Sequence, residues 1–117
     1  MKTLLVLNAA PYGDERTYNG LRLAHALHKH DPEGEVIIFL MADAVMGAKA
    51  GQSTPSGYYN IEHMLGRVLS GSGRVLLCGT CMNARGLMDA ELLAGATRST
   101  MDELATITLQ AEKVVVF

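Results

Sequence analysis

Four short apolar-rich runs, separated by longer stretches with helical periodicity, constrain this chain more than any other feature. The runs are Thr3–Leu7, Val36–Met41, Arg74–Leu77 and Lys113–Phe117. They do not alternate apolar with polar residues, so each reads as a strand covered on both faces, the habit of a parallel sheet. Between the first two runs, Asp14–His30 carries Leu21, Leu23, Ala24 and Leu27 at helical spacing, with Asp14 as candidate N-cap. Asp31-Pro32-Glu33-Gly34 reads as a turn. Ala42–Gly57 reads as a short helical turn followed by a flexible loop. Tyr59–Leu69 reads as a second helix with Ile61, Met64, Leu65 and Val68 on one face, and Gly71-Ser72-Gly73 turns the chain into the third run. The segment from Cys78 to Gly86 shows no periodicity and reads as irregular. Met88–Leu93 then predicts a short helix, Ala94–Thr97 a brief strand, and Met101–Ala111 a helix capped by Ser99 or Thr100. Strands alternating with helices in this way predict an α/β fold, a mainly parallel sheet with helices on both faces. With 117 residues, the chain is expected to form a single domain, 1–117.

Composition narrows the function classes. With 49% hydrophobic and 19% charged residues the chain can bury a core, which argues against disorder. Its net charge of −2 offers no electrostatic footing for nucleic acid. The apolar run at Met1–Leu7 stops at Asn8, too short for the core of a signal peptide, and no stretch approaches the ~20 apolar residues of a membrane span. A cytoplasmic protein is the expectation. In that compartment thiols stay reduced, so the paired Cys78 and Cys81 point to chemistry rather than to a structural disulfide.

In an open parallel sheet, ligands bind beyond the carboxyl ends of the strands. Three segments are expected there: Asn8–Gly13 after the first strand, Ala42-Asp43 after the second, and Cys78–Gly86 after the third. Cys78-Gly79-Thr80-Cys81 is a C-x-x-C pair directly after a strand, and its thiolate form would be the reactive one. Arg85 is the candidate cation beside it, and backbone N–H groups near Thr80 add positive potential. Both cysteines would equally serve as small core residues. A thioredoxin-like site is disfavoured, because the motif follows the third strand and no proline lies after Pro55. A zinc site lacks two of its four ligands, since His25, His28 and His30 lie on the first helix and are expected to face solvent. Asp43 is either a base or anion partner, or a helix cap. Tyr12, Tyr58 and Tyr59 either line a pocket or pack the core or an interface.

The residues carrying this pattern resemble the DsrE-like sulfur-relay superfamily, and within it the YchN-like branch. The carrying segments are Asn8–Gly13, Phe39–Val45, Gly57–Ile61, Leu77–Gly86 and Ala111–Phe117, and they span nearly the whole chain. The resemblance implies a three-layer α/β sandwich with about five strands, no cofactor, and a homo-oligomer, either a trimer or a hexamer of stacked trimers. It implies a persulfide on the cysteine after the third strand, here Cys78, loaded by a sulfur donor protein and unloaded by an acceptor. Arg85-Gly86 stands at the family's spacing beyond that cysteine. Cys81 belongs to the YchN-like pattern and is generally absent from the relay members. On this expectation Cys78 is the nucleophile, Cys81 a resolving or redox partner and Arg85 a thiolate stabiliser. Asn8, Tyr12, Asp43, Gly79 and Thr80 would form the rim. The alternatives are a non-catalytic oligomeric module binding a small ligand, and a dithiol redox protein using the C-x-x-C pair.

Overall fold

The computed structural model describes residues 1–117. Lys2–Leu7 forms β1, Glu35–Leu40 β2, Arg74–Cys78 β3, Thr97–Ser99 β4 and Lys113–Val116 β5. All pair in parallel in the order β4-β3-β2-β1-β5. β1, β2 and β3 are the central strands, and Leu4, Leu5, Ile37, Ile38, Val75 and Leu77 are all buried in them, as unbroken apolar runs require.

Four α-helices connect these strands: α1 (Arg16–His30), α2 (Ile61–Ser70), α3 (Gly79–Ala84) and α4 (Met101–Gln110). The chain steps from β1 to β2 to β3 in one direction, then returns from β4 across the sheet to β5. Right-handed crossovers therefore place α1 and α2 on one face and α4 on the other. α1 packs closely enough that a Cβ on Gly20 would stand 2.5 Å from Leu7 Cδ2. The opposite face is thinly covered: of α4 only Ile107 is buried, while Met101, Leu109, Val114 and Val116 are exposed. No helix is long and apolar enough to cross a membrane.

Several expectations are corrected. The first helical bond of α1 runs from the Asn19 N–H to the Glu15 carbonyl at 2.8 Å, so Glu15 holds the cap position, while Asp14 one residue earlier accepts the Arg16 N–H at 2.9 Å and pairs with its guanidinium at 2.8 Å. β4 lies at Thr97–Ser99 rather than Ala94–Thr97, fixed by pairing with Leu76–Cys78. Of the two caps expected for α4, Thr100 takes the position, accepting the Glu103 N–H at 3.1 Å. The loop expected to be flexible is pinned after its 3-10 segment, Ala42–Ala48. The Gln52 side chain donates to the carbonyls of Gly47 and Lys49, and Glu62 accepts the N–H groups of Gly51 and Gln52. The segment after Cys78 is not irregular to Gly86: its first six residues are α3.

Candidate functional site

β3 ends on Cys78, and Cys78 is also the cap of α3. One residue thus closes a strand and opens a helix, which fixes its side chain from both sides. Its Sγ accepts the Cys81 backbone N–H at 3.4 Å and lies 3.3 Å from the Thr80 hydroxyl oxygen. A sulfur fills the role usually taken by Ser, Thr, Asp or Asn. Cys78 exposes 6% of its surface, and Cys81 is half-buried. Both are free thiols.

Strand order makes this a natural crevice. α3 packs against the 3-10 segment, which packs on α2. The chain therefore leaves β3 toward the α2 face and leaves the adjacent β4 toward the α4 face. Cys78 is paired with Ser99 at that divergence, the switch point where ligands bind in open α/β sheets.

The two thiols are tuned in opposite directions. Burial pushes the Cys78 thiol up. Hydrogen bonds from the Cys81 thiol, the Thr80 hydroxyl and the N–H groups of Cys81 and Thr80 outweigh that and hold it below the usual thiol range. Burial and the donation to Cys78 push Cys81 up, opposed by the Ala42 N–H and by Arg85. Cys78 is thus the more readily ionised thiol of the pair, and Cys81 the one that donates to it.

The Ala42 N–H donates to Cys81 Sγ at 3.2 Å. Ala42 holds φ +50°, a left-handed conformation that costs a residue with a Cβ about 1 kcal/mol. It is fixed there by the Cys81 bond and by the Met41 N–H, which donates to the Leu7 carbonyl at 2.8 Å. Asp43 follows, and a single oxygen of its carboxylate, Oδ1, receives two nitrogens of the Arg85 guanidinium at 2.8 and 2.9 Å. Arg85 also donates to the Cys81 carbonyl at 3.0 Å. The expected roles of both residues change here. Arg85 is spent on Asp43 and the end of α3 rather than on Cys78, and Asp43 caps nothing, since Met41 holds the cap position.

Arg98 is the residue that sequence reading missed. From β4 it donates to the Gly79 carbonyl at 3.1 Å and to Asn83 Oδ1 at 3.0 Å, and it pairs with Asp89 at 2.7 Å. It locks α3 from the side opposite Arg85. Gly79 is needed beneath it, because a Cβ there would stand 3.1 Å from the Ser99 carbonyl and 3.2 Å from the guanidinium. In the sequence Arg98 looks like one more polar surface residue, and only its pairing partner on β3 reveals it.

Asn8 and Tyr12 do not join this cluster. Asn8 donates through its backbone and side chain to the Phe117 carbonyl, at 3.1 and 3.2 Å, and so ties β1 to β5. The Tyr12 hydroxyl accepts the Ile61 N–H at 3.1 Å and donates to Gln52 Oε1, fastening the start of α2 to the loop before it. Its ring belongs to an aromatic stack, with Tyr59 centred 5.9 Å from Tyr12, 4.2 Å from Tyr18 and 4.8 Å from Tyr58. His25, expected to face solvent, is half-buried and bonded through Nε2 to the Met64 carbonyl at 2.9 Å. No three His, Cys, Asp or Glu side chains converge closely enough to hold a metal ion.

Comparison with known proteins places the fold in a known family. The DsrE/DsrF-like family matches the chain over residues 1–117. Protein YchN of Escherichia coli strain K12 is 41% identical over 116 residues, covering 99% of this chain and 98% of its own. The uncharacterised protein MJ0989 of Methanocaldococcus jannaschii is 37% identical over the full length of both. The crystal structure of E. coli YchN superposes with a TM-score of 0.94, covering 100% of this chain and 99% of that one. MTH1491 from Methanobacterium thermoautotrophicum, a protein of unknown function, shares the fold at a TM-score of 0.74 and 11% identity over 99% of this chain and 98% of its own. The chain belongs to the DsrE/DsrF-like family.

Proposed function

We propose that this protein is a sulfur carrier in which Cys78 bears a persulfide. The observation that carries the reading is the convergence of an N–H, a hydroxyl and a second thiol on one sulfur at the switch point of the sheet. A carrier of this kind needs a stabilised thiolate on a firm support, and needs neither a general acid nor a metal. Loading is a displacement: the Cys78 thiolate attacks the outer sulfur of a donor persulfide, takes that sulfur and expels the donor thiolate. Unloading is the same step run toward an acceptor thiol. The thinly covered α4 face and the exposed Val114 and Val116 of β5 support a homo-oligomer, a trimer or hexamer as the family resemblance implies. The setting proposed for it is the cytoplasm, with a donor and an acceptor protein as partners.

The test is to incubate the protein with glutathione persulfide and weigh the intact subunit. The expected result is one added sulfur on the native chain and none on Cys78→Ser. An equal adduct on both proteins, or neither an added sulfur nor a Cys78-dependent release of sulfide from the native chain, refutes the reading.

A second reading is favoured by the 6% exposure of Cys78: the thiols are packing groups and the rim binds a small ligand. Native-state alkylation separates the two. Reaction at Cys78 only after unfolding supports packing, and reaction in the folded state supports the carrier.

A further inference from the structure

The burial of Cys78 has a consequence for what happens to a sulfur once it is bound, and the inference rests on the carrier reading above. A persulfide has two electrophilic sulfurs. Attack on the outer one transfers it, and Cys78 leaves as thiolate. Attack on the inner one, Sγ, expels the outer sulfur as hydrosulfide. These outcomes are chemically distinct, and the fold sorts the nucleophiles between them.

Cys78 exposes only 6% of its surface, so a thiol arriving from solvent meets the outer sulfur first. The inner sulfur is reached from within the protein. Cys81 stands one helical turn further along α3, and its own backbone N–H already lies 3.4 Å from Cys78 Sγ. The Cys81 sulfur is held in place by the Ala42 N–H at 3.2 Å. Arg85, bonded to the Cys81 carbonyl at 3.0 Å, sets positive charge at the same turn. In the resting pair, burial and the donation to Cys78 hold Cys81 protonated; once Cys78 Sγ carries a second sulfur that donation is lost, and the Ala42 N–H and Arg85 favour the thiolate form of Cys81, the form that attacks.

We propose that the Cys78–Cys81 pair is a built-in discharge route, in which Cys81 attacks the inner sulfur of the Cys78 persulfide and releases sulfide. The Cys81–Cys78 sulfur–sulfur bond forms, and the bond from Cys78 Sγ to the outer sulfur breaks. The electron pair leaves with the outer sulfur as HS⁻, and the Cys81 proton passes to solvent. The carried sulfur is reduced to sulfide while the two cysteines are oxidised to a disulfide. A dithiol reductant then reopens the disulfide and restores the resting pair. The protein is therefore a carrier toward acceptors that reach the outer sulfur, and a source of sulfide when none does.

The experiment loads the native protein and Cys81→Ser with glutathione persulfide, removes small thiols by desalting, and follows released sulfide and intact mass. The native chain is expected to lose its added sulfur as sulfide at least roughly tenfold faster than Cys81→Ser, as intramolecular attack requires. It should end two hydrogens lighter than the reduced chain, with Cys78 and Cys81 joined in one peptide-mapped disulfide. Cys81→Ser should keep its adduct. Equal loss from both proteins, or sulfide release without the disulfide, overturns the discharge route. A stable adduct on both leaves the carrier standing and overturns the route alone, whereas no adduct on either overturns both. If Cys81→Ser does not fold, disulfide formation and sulfide release in the native chain, in equal amounts, decide the question.

Discussion

The carboxyl ends of β1 and β3 occupy equivalent places on the rim of the sheet, and the protein uses them in opposite ways. At the end of β1 the polar side chains are consumed by architecture. Asn8 ties the last strand in, and Tyr12 fastens α2. Thr17, fully buried, donates its hydroxyl to the Ala9 carbonyl at 2.7 Å. At the end of β3 the polar groups converge on sulfur instead, and the ion pairs of Arg85 and Arg98 brace the short helix that carries it. The difference lies in what each strand feeds. β1 leads through an eight-residue connection into a long helix on the well-covered face, and its loop must be anchored. β3 leads directly into α3 at the point where neighbouring strands diverge, which leaves its terminal side chain at a crevice. Position on a sheet rim is therefore an opportunity, and the connection that follows decides its use.

The largest test of this contrast is Cys78→Ser. It should abolish the persulfide adduct completely while leaving thermal stability nearly unchanged, as read by mass and by calorimetry; any adduct retained places the chemistry elsewhere. Tyr12→Phe should do the reverse. The buried Ile61 N–H and Gln52 each lose a partner, costing about 1–2 kcal/mol in denaturant unfolding, with the rate of Cys78 alkylation unaltered.

A subtler effect is expected from Cys81→Ala. Without the donor thiol, the midpoint of the alkylation pH profile at Cys78 should rise, because one of the hydrogen bonds that holds the thiol down is gone. In the native protein that midpoint should lie below the one measured for the unfolded chain. Because folded Cys78 ionises at lower pH than unfolded Cys78, unfolding takes up a proton between the two values, and stability rises with pH across that window. Cys81, held above the usual thiol range, removes stability again as pH rises further. The smallest effect belongs to Asp43→Asn. Its carboxylate side chain is 63% exposed, so the loss should be about 0.5 kcal/mol or less and should shrink in high salt.

The central strands and the two long helices were legible in the sequence because burial on both faces writes unbroken apolar runs, and burial on one writes helical spacing. Three features were not. α3 is six residues long, too short to show a period, and its cap is a sulfur rather than a usual capping side chain. β4 is Thr-Arg-Ser, with only Ser99 buried, so nothing apolar marks it, and its register comes entirely from pairing with β3. The helix after Asp14 begins one residue later than its sequence suggests, because Glu15, which has no side-chain capping bond, supplies the first helical carbonyl. At the site, the pairing of two cysteines across one helical turn could be read from spacing. The partners of Arg85 and Arg98 could not, because both bonds join segments that only the folded sheet brings together.

The strand order also sets a timetable. β1 pairs on one side with β2, which follows it closely, and on the other with β5, the last strand made; Asn8 and Phe117 stand 109 positions apart. A chain emerging from the ribosome can assemble β1, β2 and β3 and bury most of their core while one edge of β1 stays open. Joining partners so far apart in sequence is slow, so this edge is the last vulnerable surface of the nascent protein. Synthesis that stalls after α4 would leave an unpaired apolar strand edge, a template for aggregation, in a molecule whose paired cysteines are already in place.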